Sequence, residues 1–458
     1  MKSLNDYQHI FFIGVAGTGM SAIAQYLAGK GKTVSGSDRY FKPGEANETR
    51  DKLEAAGVTC FLQDGSGITE QTDLVIVSTA VEETVPEVIK TRSLNIPILK
   101  RSEVLALIAE SQPTIAIGGT SGKSTTSGML FQVLRSAGQD PSIISGAGLV
   151  SLIREGMIGN AWVGKGKWLI IEADESDGSI VSYHPEIGVL LNIDKDHQEI
   201  DELIRLFTIF RDNCKSSFLT NAAQPLAASL AREGDPSFSG KSDINATYMA
   251  DQYTQAGMRM SFTINHIPFT LHTIGRHNME NALAAVAAAN LAGIGIEECA
   301  AGLASYEGIY RRHQVLGEKH GVIVIDDYAH NPAKCAASIA ACQQISPKVI
   351  AWFQPHGYGP TRFLRKDFVQ EISAVLRPDD QIWMSEIFYA GGTAVKDISA
   401  NDLIEDIRAT GKQAYFTENR EDLLEAIRPS LEPGTVLLLM GARDPGLESF
   451  SQSVWQKL

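Results

Sequence analysis

Residues Gly119 to Thr125 read Gly-Thr-Ser-Gly-Lys-Ser-Thr, between an apolar run, TIAIG at 114–118, and a helix-like pattern, SGMLFQVLRSAG. Small residues let backbone N–H groups turn toward a phosphate, the following helix adds partial positive charge, and a lysine reaches the terminal phosphates. Lys123 and the loop residues Gly119, Thr120, Ser121, Gly122, Ser124 and Thr125 are therefore expected to bind a nucleoside triphosphate. The spacing is shorter than GxxxxGK[ST], because Ile117 stands where the first glycine would be. The motif specifies a nucleotide, not a reaction.

Polar residues that can hold a metal follow on later apolar runs. WLIIEADES carries Glu172, Asp174 and Glu175, and IGVLLNIDKDHQE carries Asn192, Asp194, Asp196 and His197. Carboxylates and an imidazole at strand ends beside a phosphate loop suit Mg²⁺-assisted phosphoryl transfer. Ser124, Glu172 and His197 are the expected metal ligands, whereas Asp194, Glu175 and Asp177 read as loop or helix-end charges. Farther on, GRHNMENA holds Asn278 and IYRRHQ holds Arg311 and Arg312, a pair suited to clamping phosphate or to an exposed salt bridge.

An earlier glycine turn, Gly14-Val-Ala-Gly-Thr-Gly19, links HIFFIG to a helical pattern over roughly 20–29, and the next strand ends at Asp38. Such a turn can take a diphosphate at a helix N-terminus, but its spacing departs from GxGxxG. A dinucleotide oxidoreductase and a nucleotide-sugar site remain alternatives here.

The elements that must position these groups alternate apolar strand runs with helical segments, the mark of an α/β fold with parallel sheets. Three such stretches open near residues 9, 114 and 321, giving expected domains 1–112, 113–317 and 318–458. The outer two are expected to be Rossmann-like, doubly wound domains and the middle one an α/β domain that carries the phosphate loop. Alternating Thr, Phe, Met and Tyr between about 236 and 275 predict an antiparallel insertion, and a long helix is expected over 278–289.

Composition limits the partners. The chain has 458 residues, 44% hydrophobic and 21% charged, with a net charge of −14. That suits a folded chain with a sizeable core and disfavours nonspecific binding to nucleic acid or anionic lipid. The cysteines at 60, 214, 299, 335 and 342 form no CxxC pair, and neither a signal peptide nor a membrane span is indicated, so a cytoplasmic protein is expected, and separately a monomer or homodimer.

Taken in order, IGVAGTGMSAIA, VSGSD, GTSGKSTT, EADESDGS, NIDKDH, GRHNMENA, YRRHQ, DDYAHNP and FQPHGYGPTR make the chain similar to the Mur ligase family, most of all its L-alanine-adding branch. The resemblance implies three domains, a central P-loop ATPase domain between two Rossmann-like ones, and ATP-dependent amide formation, through an acyl phosphate, between UDP-N-acetylmuramate and a small amino acid in peptidoglycan precursor synthesis. It implies catalytic roles for Lys123, Glu172, His197 and Arg312, and ATP contacts from the 119–125 loop, Asn278, Asp326 and His330. It also implies UDP-sugar contacts from Gly14, Gly17, Gly19, Asp38 and Ser78, an amino-acid site at Tyr328, His356 and Arg362, and ATP with Mg²⁺ as cofactors.

Departures from the family pattern include Ser121, Ser124, His313 and the DDYAHNP turn. At 357 and 360, where L-alanine ligases carry two carboxylate-gripping arginines, this chain has Gly and Pro. A ligase that recycles whole peptides and a non-catalytic nucleotide-binding regulator are the alternatives.

Overall fold

The computed structural model describes residues 4–78, 81–194, 199–389, 391 and 395–458. Contacts gather the chain into two compact units: Met1–Tyr253 with Ser261–Leu271 and His277–Ile309, and Thr254–Met260 with His272–Arg276 and Tyr310–Leu458.

The first sheet comprises β1 (His9–Ile13), β2 (Thr33–Asp38), β3 (Val58–Leu62), β4 (Leu74–Val77) and β5 (Ile98–Lys100). They lie in the order β3-β2-β1-β4-β5 with every pairing parallel. The order reverses beside β1, so the Gly14–Gly19 turn that leaves it opens at the switch point, where open α/β sheets bind ligands.

The second sheet runs through β6 (Thr114–Gly118), β7 (Ser142–Ile144), β8 (Ala161–Trp162), β9 (Leu169–Ala173) and β10 (Ile187–Leu190). It continues with β11 (Ser217–Asn221), β12 (Ser237–Ser239), β13 (Tyr248–Ala256), β14 (Arg259–Ile264) and β15 (Ile267–Leu271). Its order is β15-β14-β13-β12-β11-β10-β6-β9-β7-β8. Strands β6 and β10 are buried at every residue, as strands covered on both faces must be. The expectation of an antiparallel insertion from 236 needs correction at its start, because β12 and β13 pair in parallel, Phe238 opposite Tyr248. Alternating apolar residues report one buried face and are silent about strand direction.

The third sheet holds β16 (Gln314–Lys319), β17 (Val322–Asp327), β18 (Lys348–Gln354), β19 (Gln381–Ser385), β20 (Gln413–Thr417) and β21 (Thr435–Gly441). Its order is β16-β17-β21-β18-β19-β20, parallel except for the β16–β17 edge.

Helices fill the crossovers where apolar periodicity places them. The helix after the first glycine turn spans Thr18–Gly29, the one after the phosphate loop Lys123–Ser136, and the Ala-rich one Arg276–Leu291. One continuous apolar core runs from Ile10 and Tyr26 through Ala161 and Leu169 to Phe210 and Leu230, so the first two sheets share their packing. The second unit has separate apolar clusters built around Ile325, Phe353 and Ile382, and around Trp352 and Leu437.

Candidate active site

The phosphate loop leaves β6 and ends at Gly122, the N-cap of the helix Lys123–Ser136. Gly122 has φ +86°, and a Cβ there would overlap Asn281 Oδ1. Both conditions demand glycine: a left-handed backbone and an approach that a side chain would block. Asn281 Oδ1 also accepts from Thr126 Oγ1 at 3.3 Å, and its Nδ2 donates to Asn278 Oδ1 at 3.2 Å, so the buried Asn278 stands behind the loop.

A second asparagine pins the loop from the other side. Asn192 Oδ1 accepts from Thr120 Oγ1 and from Ser121 N, each at 2.9 Å, and its Nδ2 donates to Ser121 O at 3.2 Å. The loop shape is thus fixed by side chains from outside the motif.

Lys123 Nζ donates to Gly119 O and to Glu175 Oε2, both at 2.7 Å, with Asp174 Oδ1 at 4.0 Å. The sequence reading sets Glu175 among loop charges. The structure buries it to 4% exposure and gives it to the lysine. A half-shielded ammonium held against a carboxylate and a loop carbonyl is poised over the loop, where phosphate oxygens can compete for it.

Glu172, near the end of β9, accepts from Ser124 Oγ at 2.8 Å, Ser145 Oγ at 2.7 Å and Gly146 N at 2.7 Å. The Ser124 hydroxyl and the Glu172 carboxylate form an all-oxygen pair that fits Mg²⁺, a cation that takes one or two carboxylates and leaves its other positions to water and phosphate. Among the described residues no group of three or more His, Cys, Asp or Glu forms a metal cluster. His197, the third expected ligand, lies outside the described residues.

At the first sheet, Gly14 has φ +81° and Gly17 caps the helix Thr18–Gly29. Asp38, 5% exposed, braces this turn: its carboxylate accepts from Ala16 N and from Tyr40 N at 3.0 Å each. Ser78 follows β4, and its carbonyl accepts from Val81 N at 3.2 Å. Arg101 lies against Gly19 in the first helical turn and forms an ion pair with Asp177 at 3.6 Å. Sequence gives no signal for Arg101, because the contact joins residues far apart in the chain.

In the second unit, Arg311 is the better placed of the two arginines structurally. It is 7% exposed, and its Nε donates to Asp326 Oδ1 and Oδ2 at 3.2 and 3.0 Å, while Nη2 donates to Gly441 O at 3.0 Å. Arg312, the candidate, is half-buried and stacks 5.0 Å from the Tyr328 ring centroid. Tyr328 meets His330 edge to face at 5.8 Å, and His330 lies 6.2 Å from His356. Burial holds His330 down to about 4, so its ring is neutral at pH 7, and burial with the Arg443 charge also lowers His356.

The segment 356–362 explains its own departures. Gly357 has φ +72° and caps the helix Tyr358–Val375, and Pro360 sits in the first turn, where a missing N–H costs no helical bond. Arg362 is engaged by the Asp397 carboxylate and by Val395 O at 3.2 Å.

Three family models match consecutive parts of the chain: the Mur ligase family catalytic domain over 9–113, the Mur ligase middle domain over 117–289, and the Mur ligase glutamate ligase domain over 311–443. Two relatives named UDP-N-acetylmuramate–L-alanine ligase are similar along nearly their full length. That of Pelotomaculum thermopropionicum is 33% identical over 96% of both chains, and that of Chromobacterium violaceum 34% identical over 96% of this chain and 97% of the other. Among solved structures, the UDP-N-acetylmuramate-alanine ligase of Thermotoga maritima superposes with a TM-score of 0.80 at 25% identity, covering 98% of each chain. A murein peptide ligase of Psychrobacter arcticus shares the fold with a TM-score of 0.66 at 21% identity, covering 98% of each chain.

Proposed function

Because the chain belongs to the Mur ligase family, we propose that it joins L-alanine to the carboxylate of UDP-N-acetylmuramate at the expense of ATP, in peptidoglycan precursor synthesis. The observation that carries this reading is the loop itself: Lys123 over Gly119 O, and Ser124 bonded to Glu172.

The chemistry follows from the poor electrophilicity of a carboxylate. A sugar carboxylate oxygen attacks the terminal phosphorus of ATP, forming a C–O–P link as the β–γ bond breaks and ADP leaves. The amine nitrogen then attacks the acyl carbon, the carbon–oxygen bond to phosphate breaks, and the amine loses a proton. Mg²⁺, when bound, neutralises charge on the phosphates. Loop amides from 119–125 bind the phosphates, Lys123 exchanges Glu175 for a terminal phosphate oxygen, and Ser124 with Glu172 presents oxygens to the cation.

The first glycine turn, with Gly14, Gly17, Gly19, Asp38 and Ser78, takes the UDP-sugar. Nucleotide roles for Asn278, Asp326 and His330, a phosphoryl role for Arg312, and amino-acid roles for Tyr328, His356 and Arg362 belong to the same proposal. All five cysteines are free thiols, which supports a reducing, cytoplasmic setting. Among the described residues, no helix is long and apolar enough to cross a membrane.

The test is phosphate release from ATP and Mg²⁺ with UDP-N-acetylmuramate and L-alanine, glycine, L-serine or a peptide, with mass detection of the UDP product. A product heavier by alanine supports the reading. Product with another amine alone keeps the ligase chemistry and reassigns the acceptor, and no product with any amine removes the function.

A further inference from the structure

The first unit holds a hydrogen-bond path, buried at its centre, between its two glycine loops. Asn160 lies at its centre, 1% exposed, beside Ser21 at 1% and Ser145 at 2%. Its side-chain Nδ2 donates to Thr18 O at 2.7 Å and to Ser21 Oγ at 2.9 Å, and its Oδ1 accepts from Gln25 Nε2 at 2.9 Å. A carbonyl such as that of Thr18 only accepts, so the amide has one orientation that satisfies every partner. Gln25 Nε2 also donates to Ser21 O at 2.9 Å, which locks the cluster to the first turns of the helix Thr18–Gly29.

The path continues through the backbone. Asn160 O accepts from Ser145 N at 2.9 Å, just beyond the antiparallel pairing of β7 with β8. Ser145 Oγ donates to Glu172 Oε1 at 2.7 Å, and Glu172 Oε2 accepts from Ser124 Oγ at 2.8 Å. One end is the helix turn that follows Gly14–Gly19. The other is the helix turn that follows the phosphate loop. Low local dielectric makes such a satisfied network stiff, and a broken member of it costly.

We propose that Asn160 is a positioning residue, with Ser145 as its relay: together they set the sugar-nucleotide turn in register with the Glu172 carboxylate and the Ser124 hydroxyl. This rests on the ligase reading above. Acyl-phosphate formation needs the sugar carboxylate in line with the terminal phosphorus, and a displacement of about 1 Å at such a centre costs on the order of 10²-fold in rate.

The test uses the full-length protein as Asn160→Ala, Ser145→Ala and the double variant. Four quantities are read: UDP-N-acetylmuramate affinity by calorimetry, ATP affinity, kcat for phosphate release, and Tm. The expected result is a loss of kcat of about tenfold or more in each single variant, with each separate affinity within about threefold of wild type. The double variant should lose little beyond the worse single one, because both cut the same path. Folded variants that keep wild-type kcat while losing only Tm overturn the proposal, as do strictly additive losses. Should Asn160→Ala fail to fold, Ser145→Ala, which removes one hydroxyl, decides the matter alone. A wild-type protein that binds no UDP-N-acetylmuramate instead fells the ligase reading itself, an outcome that calorimetry separates from failure of the relay.

Discussion

The phosphate loop of the first unit and the Arg311–His330 region of the second are both built around charge, yet they hold it in opposite ways. At the loop the charged groups rest on partners that a phosphate or a cation can replace: Lys123 on the buried Glu175 and on Gly119 O, and Glu172 on two hydroxyls and an amide. In the second unit, Arg311 and Asp326 are both nearly sealed from solvent and bonded to each other through two contacts. Arg311 and His313 also hold left-handed backbones, at φ +54° and +46°. The first arrangement leaves ligand-binding capacity in reserve, whereas the second commits the Arg311 guanidinium to holding a shape. A basic side chain near a nucleotide motif is therefore not by itself a ligand group; its existing partners decide.

Substitutions can break that contrast. The largest expected effect is at the exchangeable end, where Lys123→Ala should lower kcat by about 10³-fold, since it removes the cation at developing phosphate charge. Turnover near wild type would place the reacting phosphate elsewhere. At the sealed end, Arg311→Met should cost about 3–5 kcal/mol in denaturant unfolding of the second unit, because it strands the buried Asp326 carboxylate. A loss confined to kcat, without a loss of stability, would make Arg311 a ligand group after all.

Glu172→Ala should raise the Mg²⁺ concentration for half-maximal activity about 10–100-fold, and an unchanged requirement would remove Glu172 from the metal site. Titration sharpens the contrast further. His330 is held at about 4 when folded, against 6.5 when free, so between those values the unfolded chain binds more protons. The stability its neutral ring contributes is complete above pH 6.5 and is lost as pH falls toward 4. The stability of wild type relative to His330→Phe should fall as pH falls across that window, and a constant difference would sink the assignment. The smallest effect is expected from Gly357→Ala, about 1–2 kcal/mol of stability from forcing a Cβ into the left-handed region.

Local elements were readable because their causes are local. The strand runs HIFFI, TIAIG and IGVL are buried along almost all of their length, and the glycine turns sit where a strand must pass into a helix. The Gly-Lys-Ser loop was readable for the same reason, since a phosphate cradle needs small residues and a lysine at fixed short spacing. Segment 356–362 was only half readable. Its missing arginines were plain, but the reason for Gly357 is a backbone angle, and the engagement of Arg362 by Asp397 joins separate loops.

The sequence by itself determined the parallel α/β pattern, the phosphate loop and the ordered motifs that mark the family, because each is written in neighbouring residues. Tertiary structure alone decided that Glu175 is the partner of Lys123, that Asn192 and Asn281 clasp the loop, and that Asn160 ties one glycine turn to the other. Those contacts join residues 52 to 155 positions apart. Periodicity and spacing report which face a residue presents, while the partner it meets there is set only when the strands have chosen their order in the sheet.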